Sequence, residues 1–395
     1  MVATITAVDG VAVGRVERPA STAEVSAVLR EAAASGHTVV PTGAGTKLTW
    51  GLPPDSADVL LDLSGLAGVV EHAAGDLIVT ARAGTPLAVV QEQVATAGQR
   101  LLLDETVPGG TLGGVLATNA SGPHRLMGGT MRDLLIGVTL VRADGVVAKA
   151  GGKVVKNVAG YDVGKLLVGS YGTLAVVTEC TFRLHPVPAA RRWLTAPVAS
   201  PAEAQALTQA VVHAQAVPAA VDVAVGPRGD GTLTVLLEGR PDGVEGRAGV
   251  VRALLGEAEE YADPPPGWGA YPWDVTATGE DRAVALKLGF RLSGLADVLT
   301  AGHGLTIRGS AGAGVLYAAL PVGEAGHEEV AATVERLRGV CAHHHGSLVV
   351  LDAPGSLKPA LDVWGPAPAL GLMQRVKDEF DPDHRLSPGR FVGGI

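Results

Sequence analysis

Cysteine is scarce in this 395-residue chain, which has two, Cys180 and Cys341. Two cysteines cannot build a disulfide framework, and they cannot hold an iron–sulfur cluster, which takes about four protein ligands. Aromatic side chains are also sparse, at 4%. The core must then be built from Val, Leu and Ala, which suits strand-rich packing. Basic residues are outnumbered, 31 Lys and Arg against 40 Asp and Glu, for a net charge of -9. No basic stripe appears, so no nucleic-acid partner is expected. No apolar run reaches the roughly 18 residues of a membrane span, so no integral membrane span is expected. The start Met1-Val2-Ala3-Thr4-Ile5 lacks the basic and apolar regions of a secretory signal. These absences point to a reducing, cytoplasmic setting.

What is present is apolar content, 47%, and glycine, 54 residues. The first is enough for a sizeable core, and the length suits two to three domains. Residues 15–41 read as a βαβ-like unit. Ser21 with Glu24 three residues on forms a capping box. Val25, Val28, Leu29 and Ala32 recur at helical spacing, and Gly36 ends the helix. Thr38–Pro41 is a short strand. Further strands are expected at 59–63, 77–81, 136–142 and 173–184. A second helix opens at Thr85-Pro86, and Ala143-Asp144-Gly145 makes a hairpin turn. Residues 104–130 show little periodicity and read as a long irregular stretch, which inside a compact domain is usually functional. Beyond a boundary near 190, helices at 201–216, 245–258 and 327–342 alternate with strands at 221–225, 232–238, 316–320 and 348–350.

Three segments carry candidate chemistry. The first, Pro41-Thr42-Gly43-Ala44-Gly45-Thr46-Lys47, is a strand running into a Gly-rich turn. Its free N–H groups can bind phosphate oxygens, and Thr42 and Thr46 add hydroxyls. Taken singly, such a turn is more often a plain strand–helix connection, and it is neither a P-loop nor a Rossmann fingerprint. The second is Val107-Pro108-Gly109-Gly110-Thr111-Leu112-Gly113-Gly114, followed by Asn119, Ser121 and Gly122. A backbone this bare either packs on itself or lies flat against a ligand. The third runs from Gly151 to Thr178 and contains the turn Gly169-Ser170-Tyr171-Gly172 before the strand Thr173–Val177. Lys153, Lys156 and Lys165 add positive charge, which a reduced flavin needs near its pyrimidine end.

In this order and spacing the three segments resemble the PCMH-type FAD-binding domain of the vanillyl-alcohol oxidase / cresol methylhydroxylase superfamily. The run from Gly151 to Pro186 is similar to the FAD-binding E-subunit family of bacterial glycolate oxidase. The tail from Phe380 to Phe391 resembles that family's closing Asn-Pro-Gly-Arg/Lys motif. The resemblance implies an α+β fold: a two-subdomain FAD-binding domain over 1–190, a smaller α+β cap or substrate-side domain over 191–365, and a C-terminal segment, 366–395, returning to the FAD domain. It implies one FAD, with pyrophosphate on Thr42, Gly43, Ala44, Gly45, Thr46 and Lys47 and on Pro108, Gly109, Gly110, Thr111, Gly113 and Gly114. Asn119, Ser121 and Gly122 would follow the ribityl chain or ring, and Gly169, Gly172, Thr173, Val176 and Val177 the adenosine and flavin. It further implies a subunit of a complex that oxidises glycolate to glyoxylate. The partners would be a larger FAD-binding glycolate oxidase subunit and an iron–sulfur subunit, reached in the cytoplasm or at the inner face of the membrane.

Several departures qualify that expectation. The 42–47 loop has no His or Cys, the usual points of covalent flavin attachment, so FAD should be non-covalent. The relatives' Gly-Ser-Glu-Gly turn has Tyr171 here, and Ser387 replaces the usual Asn of the tail. The His-rich metal site of hydroxy-acid dehydrogenases is missing, so no metal is expected. No catalytic base stands out, while Arg125, Arg132, Lys153 or Arg291 could meet a carboxylate. A self-sufficient FAD oxidase or dehydrogenase and a structural FAD subunit stay open as alternatives. His343-His344-His345 reads as an exposed helix end with no spaced carboxylate nearby. Trp268, Trp273 and Trp364 read as core or interface anchors, and Glu328-Glu329 as a solvated helix face.

Overall fold

The structure is a computed structural model and describes residues 5–153, 161–322 and 326–395. It divides into two compact units. One comprises Met1–Ala120, Thr130–Val187 and Pro366–Ile395, the other Ser121–Gly129 and Pro188–Gly365. The chain passes from the first unit to the second after Val187 and returns to the first at Pro366. Ser121–Gly129 is the departure, a short excursion into the second unit that composition does not announce.

After a short strand, Ala7–Val8, the first unit runs through the strand Val11–Glu17, the helix Thr22–Ser35 and the strand Val39–Thr42. Ser21 caps the helix by accepting from the Glu24 N–H at 3.2 Å, and the Glu24 carboxylate takes the Ala20 N–H at 2.9 Å. Gly36 closes it at φ +66°, a left-handed conformation that suits glycine. The two strands do not pair with each other, because Ala57–Asp62 lies between them and is parallel to both. Val39 and Val40 therefore face different cores, one with Leu29, Val59 and Val176, the other with Val8 and Leu60. A parallel strand buried on both faces reads as a continuous apolar run, as Thr38–Pro41 does.

A second sheet in this unit has five antiparallel strands, in the order Val69–Ala73, Ile78–Arg82, Val176–Arg183, Leu135–Val141, Val147–Gly151. The last two are joined by the expected hairpin, closed by Arg142 N–H to Val146 O at 3.0 Å. The stretch read as irregular is partly helical, with turns of helix at Leu112–Thr118 and Arg125–Gly128. Two glycines inside the first hide it from a propensity reading.

The C-terminal helix Leu370–Phe380 and the tail after it complete this unit. Leu386 bridges Val39 in parallel, with Arg385 O accepting from Val39 N and Ser387 N donating to Val39 O. The pairing is held by Lys377, which is fully buried beside Asp381 at 2.8 Å. Its ammonium also donates to Thr173 O at 2.7 Å and Leu386 O at 3.0 Å.

The second unit contains an eight-stranded antiparallel sheet, with Ala190–Val198, Gly231–Gly239 and Ala220–Val225 at one end and Val284–Gly289 and Ser347–Asp352 at the other. Pro201–His213, Pro241–Leu255 and His327–His343 are its longer helices. Trp193 and Trp268 meet edge to face at 6.3 Å, and Tyr271 stacks on Trp273 at 4.6 Å. Glu328 and Glu329 are exposed. The reading of His344 needs correction, since Asp297 comes within 2.8 Å of its Nε2. The two positions are 47 residues apart, so no local pattern signals the pair. Among the described residues no helix is long and apolar enough to cross a membrane.

Candidate functional site

The Gly-rich segments meet in one cleft of the first unit, enclosing about 810 Å³ with its open mouth included. The strand Val39–Thr42 delivers Thr42–Lys47 to one wall, and Thr111, Gly113 and Gly114 form another. The two walls touch at Gly43, where a Cβ would fall on the Thr111 hydroxyl. That hydroxyl already accepts from Gly114 N at 3.3 Å, which starts the helix Leu112–Thr118. The third segment closes the cleft with Ser170, Tyr171, Gly172, Val176 and Val177. Gly172, at φ +75°, sits so close to the first segment that a Cβ would lie 2.8 Å from Pro41 Cγ. Glycine at 43 and 172 is thus required by backbone and side-chain approach within the protein.

Of the residues read from the sequence, Thr42, Gly43, Ala44, Gly45, Thr46, Lys47, Thr111, Gly113, Gly114, Gly172, Val176 and Val177 line this cleft. Others stand behind or away from it. Pro108 and Gly109 are exposed, and Gly109 N–H is held by Glu105 at 3.0 Å. Gly110 backs onto Lys47, a Cβ there lying 3.1 Å from Nζ. A Cβ on Gly113 would lie 3.1 Å from Ala83, so this glycine makes room for protein as well as for a ligand. Gly169 N–H and Thr173 Oγ1 bond to Leu116 O and Ser170 O. Asn119 takes φ +48° at the end of the short helix, and its buried Oδ1 has no partner. Ser121 and Gly122 fall in the second unit. There Ser121 accepts from Arg125 at 3.0 Å and from the Tyr317 hydroxyl.

Two of the three lysines read as flavin charges are engaged away from the cleft. Lys153 pairs with Glu71, and Lys165 donates to Arg132 O and Leu135 O. Lys156 lies outside the described residues. Arg132 and Arg291 are exposed. The two cations that do line the cleft are Lys47 and Arg390, and its lining includes no carboxylate, His or Cys among the described residues. Arg390 escaped the sequence reading of the site although it ends the tail motif. Its guanidinium bonds Leu48 O at 2.7 Å and Trp50 O at 2.8 Å, so the tail clamps the loop that follows Lys47. Tyr171, in the segment read as lining the ligand, also lines the cleft. It holds a left-handed φ of +56° and stacks on Phe391 at 5.8 Å, a conformation a tyrosine keeps only when its surroundings demand it. Ser387 sits buried behind Gly172 with its hydroxyl unpartnered.

These features suit an elongated ligand with an anionic middle and flat apolar ends. The cleft offers bare backbone, four threonines, two cations and the aliphatic side chains of Leu63, Leu116 and Val177. Cys180 is fully buried and its thiol is pushed up to about 12 by burial, which leaves it inert. Among the described residues no group of three or more His, Cys, Asp or Glu side chains is placed to hold a metal.

Comparison with known proteins gives the same direction. Residues 14–151 match the family described as FAD binding domain. Glycolate oxidase subunit GlcE of Escherichia coli (strain K12) is 39% identical over 132 residues, which are 33% of this chain and 38% of that protein. D-lactate dehydrogenase of Archaeoglobus fulgidus is 36% identical over 171 residues, 43% of this chain and 38% of the relative. Glycolate oxidase subunit GlcD of Bacillus subtilis (strain 168) is 31% identical over 205 residues, 52% and 44% of the two chains. The chain thus matches less than half the length of each of these relatives. A solved structure of alkyldihydroxyacetonephosphate synthase superposes with a TM-score of 0.68 at 16% identity, covering 94% of this chain and 75% of that one. The fold is α+β and of the PCMH-type FAD-binding kind. The match of residues 14–151 to the FAD binding domain family, with these relatives, makes FAD the cofactor of this chain.

Proposed function

We propose that the chain is the FAD-binding subunit of a glycolate oxidase-like complex that oxidises a small 2-hydroxy acid, glycolate first among them, and passes the electrons to an iron–sulfur partner. The observation that carries this reading is the single cleft assembled from the three Gly-rich segments. The 39% identity to a glycolate oxidase subunit over a third of the chain supports it. When bound, FAD supplies the two-electron acceptor for the C–H bond of the hydroxy acid. The chain's own residues bind and orient it. Thr42–Lys47 and Thr111 face its polar middle, Leu116 and Val177 its flat parts, and Arg390 fixes the loop beneath. With no His or Cys in the lining among the described residues, we read the attachment as non-covalent. Cys180 and Cys341 are both buried and are half the number an iron–sulfur cluster needs, so electrons leave to a partner. Such a protein works in the cytoplasm or on the inner face of the membrane, held there by its partners.

The purified chain should hold about one FAD, released by acid. Mixed anaerobically with glycolate or D-lactate, its flavin should stay oxidised, and should bleach once the larger flavoprotein and iron–sulfur subunits are added. A similarity to D-lactate dehydrogenase keeps a second reading in play, a self-sufficient hydroxy-acid dehydrogenase. Bleaching of the isolated chain within seconds would establish that reading and remove the first.

A further inference from the structure

The eight-stranded sheet of the second unit has two unlike faces. Ile307, Leu316, Ala318, Leu286 and Leu288 point to one side and are buried. Alternate residues point to the other side. Arg308, Tyr317 and Lys287 stand directly opposite one another on three neighbouring strands, Thr306–Ser310, Val315–Leu320 and Val284–Gly289, and share that second face. Side chains in such a row have Cβ atoms about 5 Å apart. Tyr317 is buried, and its hydroxyl donates to Ser121 O at 3.0 Å. Ser121 Oγ in turn accepts from the Arg125 guanidinium at 3.0 Å. Tyr271 lies against the Tyr317 ring at 4.6 Å and Trp273 at 6.2 Å, as an aromatic rim. Three cations thus gather around one tyrosine, and every one of these residues belongs to the second unit.

The charge of this group is not answered by acids of the chain. Arg308 is taken up by Gly267 O. Among the described residues Arg125 has one side-chain bond, to Ser121 Oγ, and the Lys287 ammonium has no ion pair or hydrogen bond. Both side chains are half-buried. Asp352, on the strand next to Lys287, is held by Arg282 at 3.1 Å and lies 3.7 Å from Lys358. Asp222, on Ala220–Val225, stands three strands away from Lys287. Cations grouped against an aromatic wall, away from carboxylates, raise the local concentration of anions. We propose that Lys287 and Arg125, joined through Tyr317 and Ser121, form the site that takes the carboxylate of a small hydroxy acid. The choice of acid rests on the function proposed above, while the site rests on the sheet register and the unanswered charge. A carboxylate gains charge-assisted bonds from an ammonium and a guanidinium, which a neutral amide of the same shape does not.

The test is an anaerobic calorimetric titration of the full-length, FAD-loaded chain with glycolate and with D-lactate, and with glycolamide as the neutral probe. Both acids should bind, and glycolamide should bind about tenfold more weakly or less. Lys287→Met and Arg125→Met should each weaken the acids by about tenfold, and Lys287→Arg should keep them within about threefold, with flavin content unchanged in all three. In the complex reconstituted with its partners, the two methionine variants should raise KM for the acid more than they lower kcat. Equal affinity for glycolate and glycolamide would overturn the proposal, and so would methionine variants that bind the acids like wild type. Should Arg125→Met fail to fold, Lys287→Met and Lys287→Arg decide. A chain that takes up no FAD would refute the function proposed above. A chain that holds FAD and binds neither acid would refute this site alone.

Discussion

Two buried lysines of the same unit sit in regions of different kinds. Lys377 lies under the C-terminal helix with a carboxylate and two carbonyls as partners, and its charge is matched within the protein. Lys47 lies under the cofactor cleft with one hydroxyl. Burial lowers the affinity of both for a proton, and in Lys377 Asp381 opposes the shift at short range. The first arrangement fixes architecture, since Lys377 ties Thr173, Leu386 and Asp381 into one register. The second has a single side-chain bond, from Nζ to Thr46 Oγ1, among the described residues. A buried charge is informative about function when its partners are counted, and burial alone does not distinguish the two.

The comparison can be broken most directly at Lys377. Lys377→Met leaves the Asp381 carboxylate buried and unpaired, and should cost about 3–5 kcal/mol in denaturant unfolding. Adding Asp381→Leu should recover most of that, though not all, because Leu386 N–H donates to the same carboxylate at 2.7 Å. Lys47→Met should leave the apoprotein as stable as wild type or more so. Equal destabilisation by the two methionine variants would end the distinction. The next effect in size is at Gly43. Gly43→Ala puts a methyl on the Thr111 hydroxyl, and overpacking of this kind costs roughly 1–3 kcal/mol. It should also open the seam between the two glycine walls and weaken FAD binding, read by thermal melts and flavin fluorescence on the same samples. Retained affinity and stability would mean that the walls yield. The smallest effect is at Thr111 itself. Thr111→Ala removes the helix cap and should cost about 1 kcal/mol, with FAD still bound. A loss much larger than that would give the hydroxyl a duty beyond capping.

Much of the first unit was legible because its signals are local. The Ser21–Glu24 box, Gly36 and the apolar spacing of Val25 and Leu29 lie within a turn or two of one another, and the helix follows. The three Gly-rich segments were legible as bare backbone for the same reason, and the structure brings them to one cleft. What they did not reveal was each glycine's task. Gly43 and Gly172 answer to Thr111 and Pro41, far off in sequence, and Gly113 answers to Ala83. The placement of Ser121 and Gly122 was missed because no composition change marks the excursion at Ser121–Gly129. Lys153 and Lys165 looked like cofactor charges because charge is visible in a sequence and its partners are not.

The sequence by itself determined the class of the protein: an α+β chain with phosphate-suited turns in a fixed order, too little cysteine for its own electron relay, and no local metal pattern. These are properties of composition and of short spacing, set by backbone conformation and ligand count. The tertiary structure decided which residues share the cleft, that Arg390 from the far end of the chain clamps it, and that one buried lysine is satisfied and the other is not. Those outcomes depend on contacts across more than 300 residues: the bridge of Val39 with Leu386, and the Arg390 guanidinium donating to Leu48 O. Contacts at such separation arise from the packing of one core and leave no periodic trace along the chain.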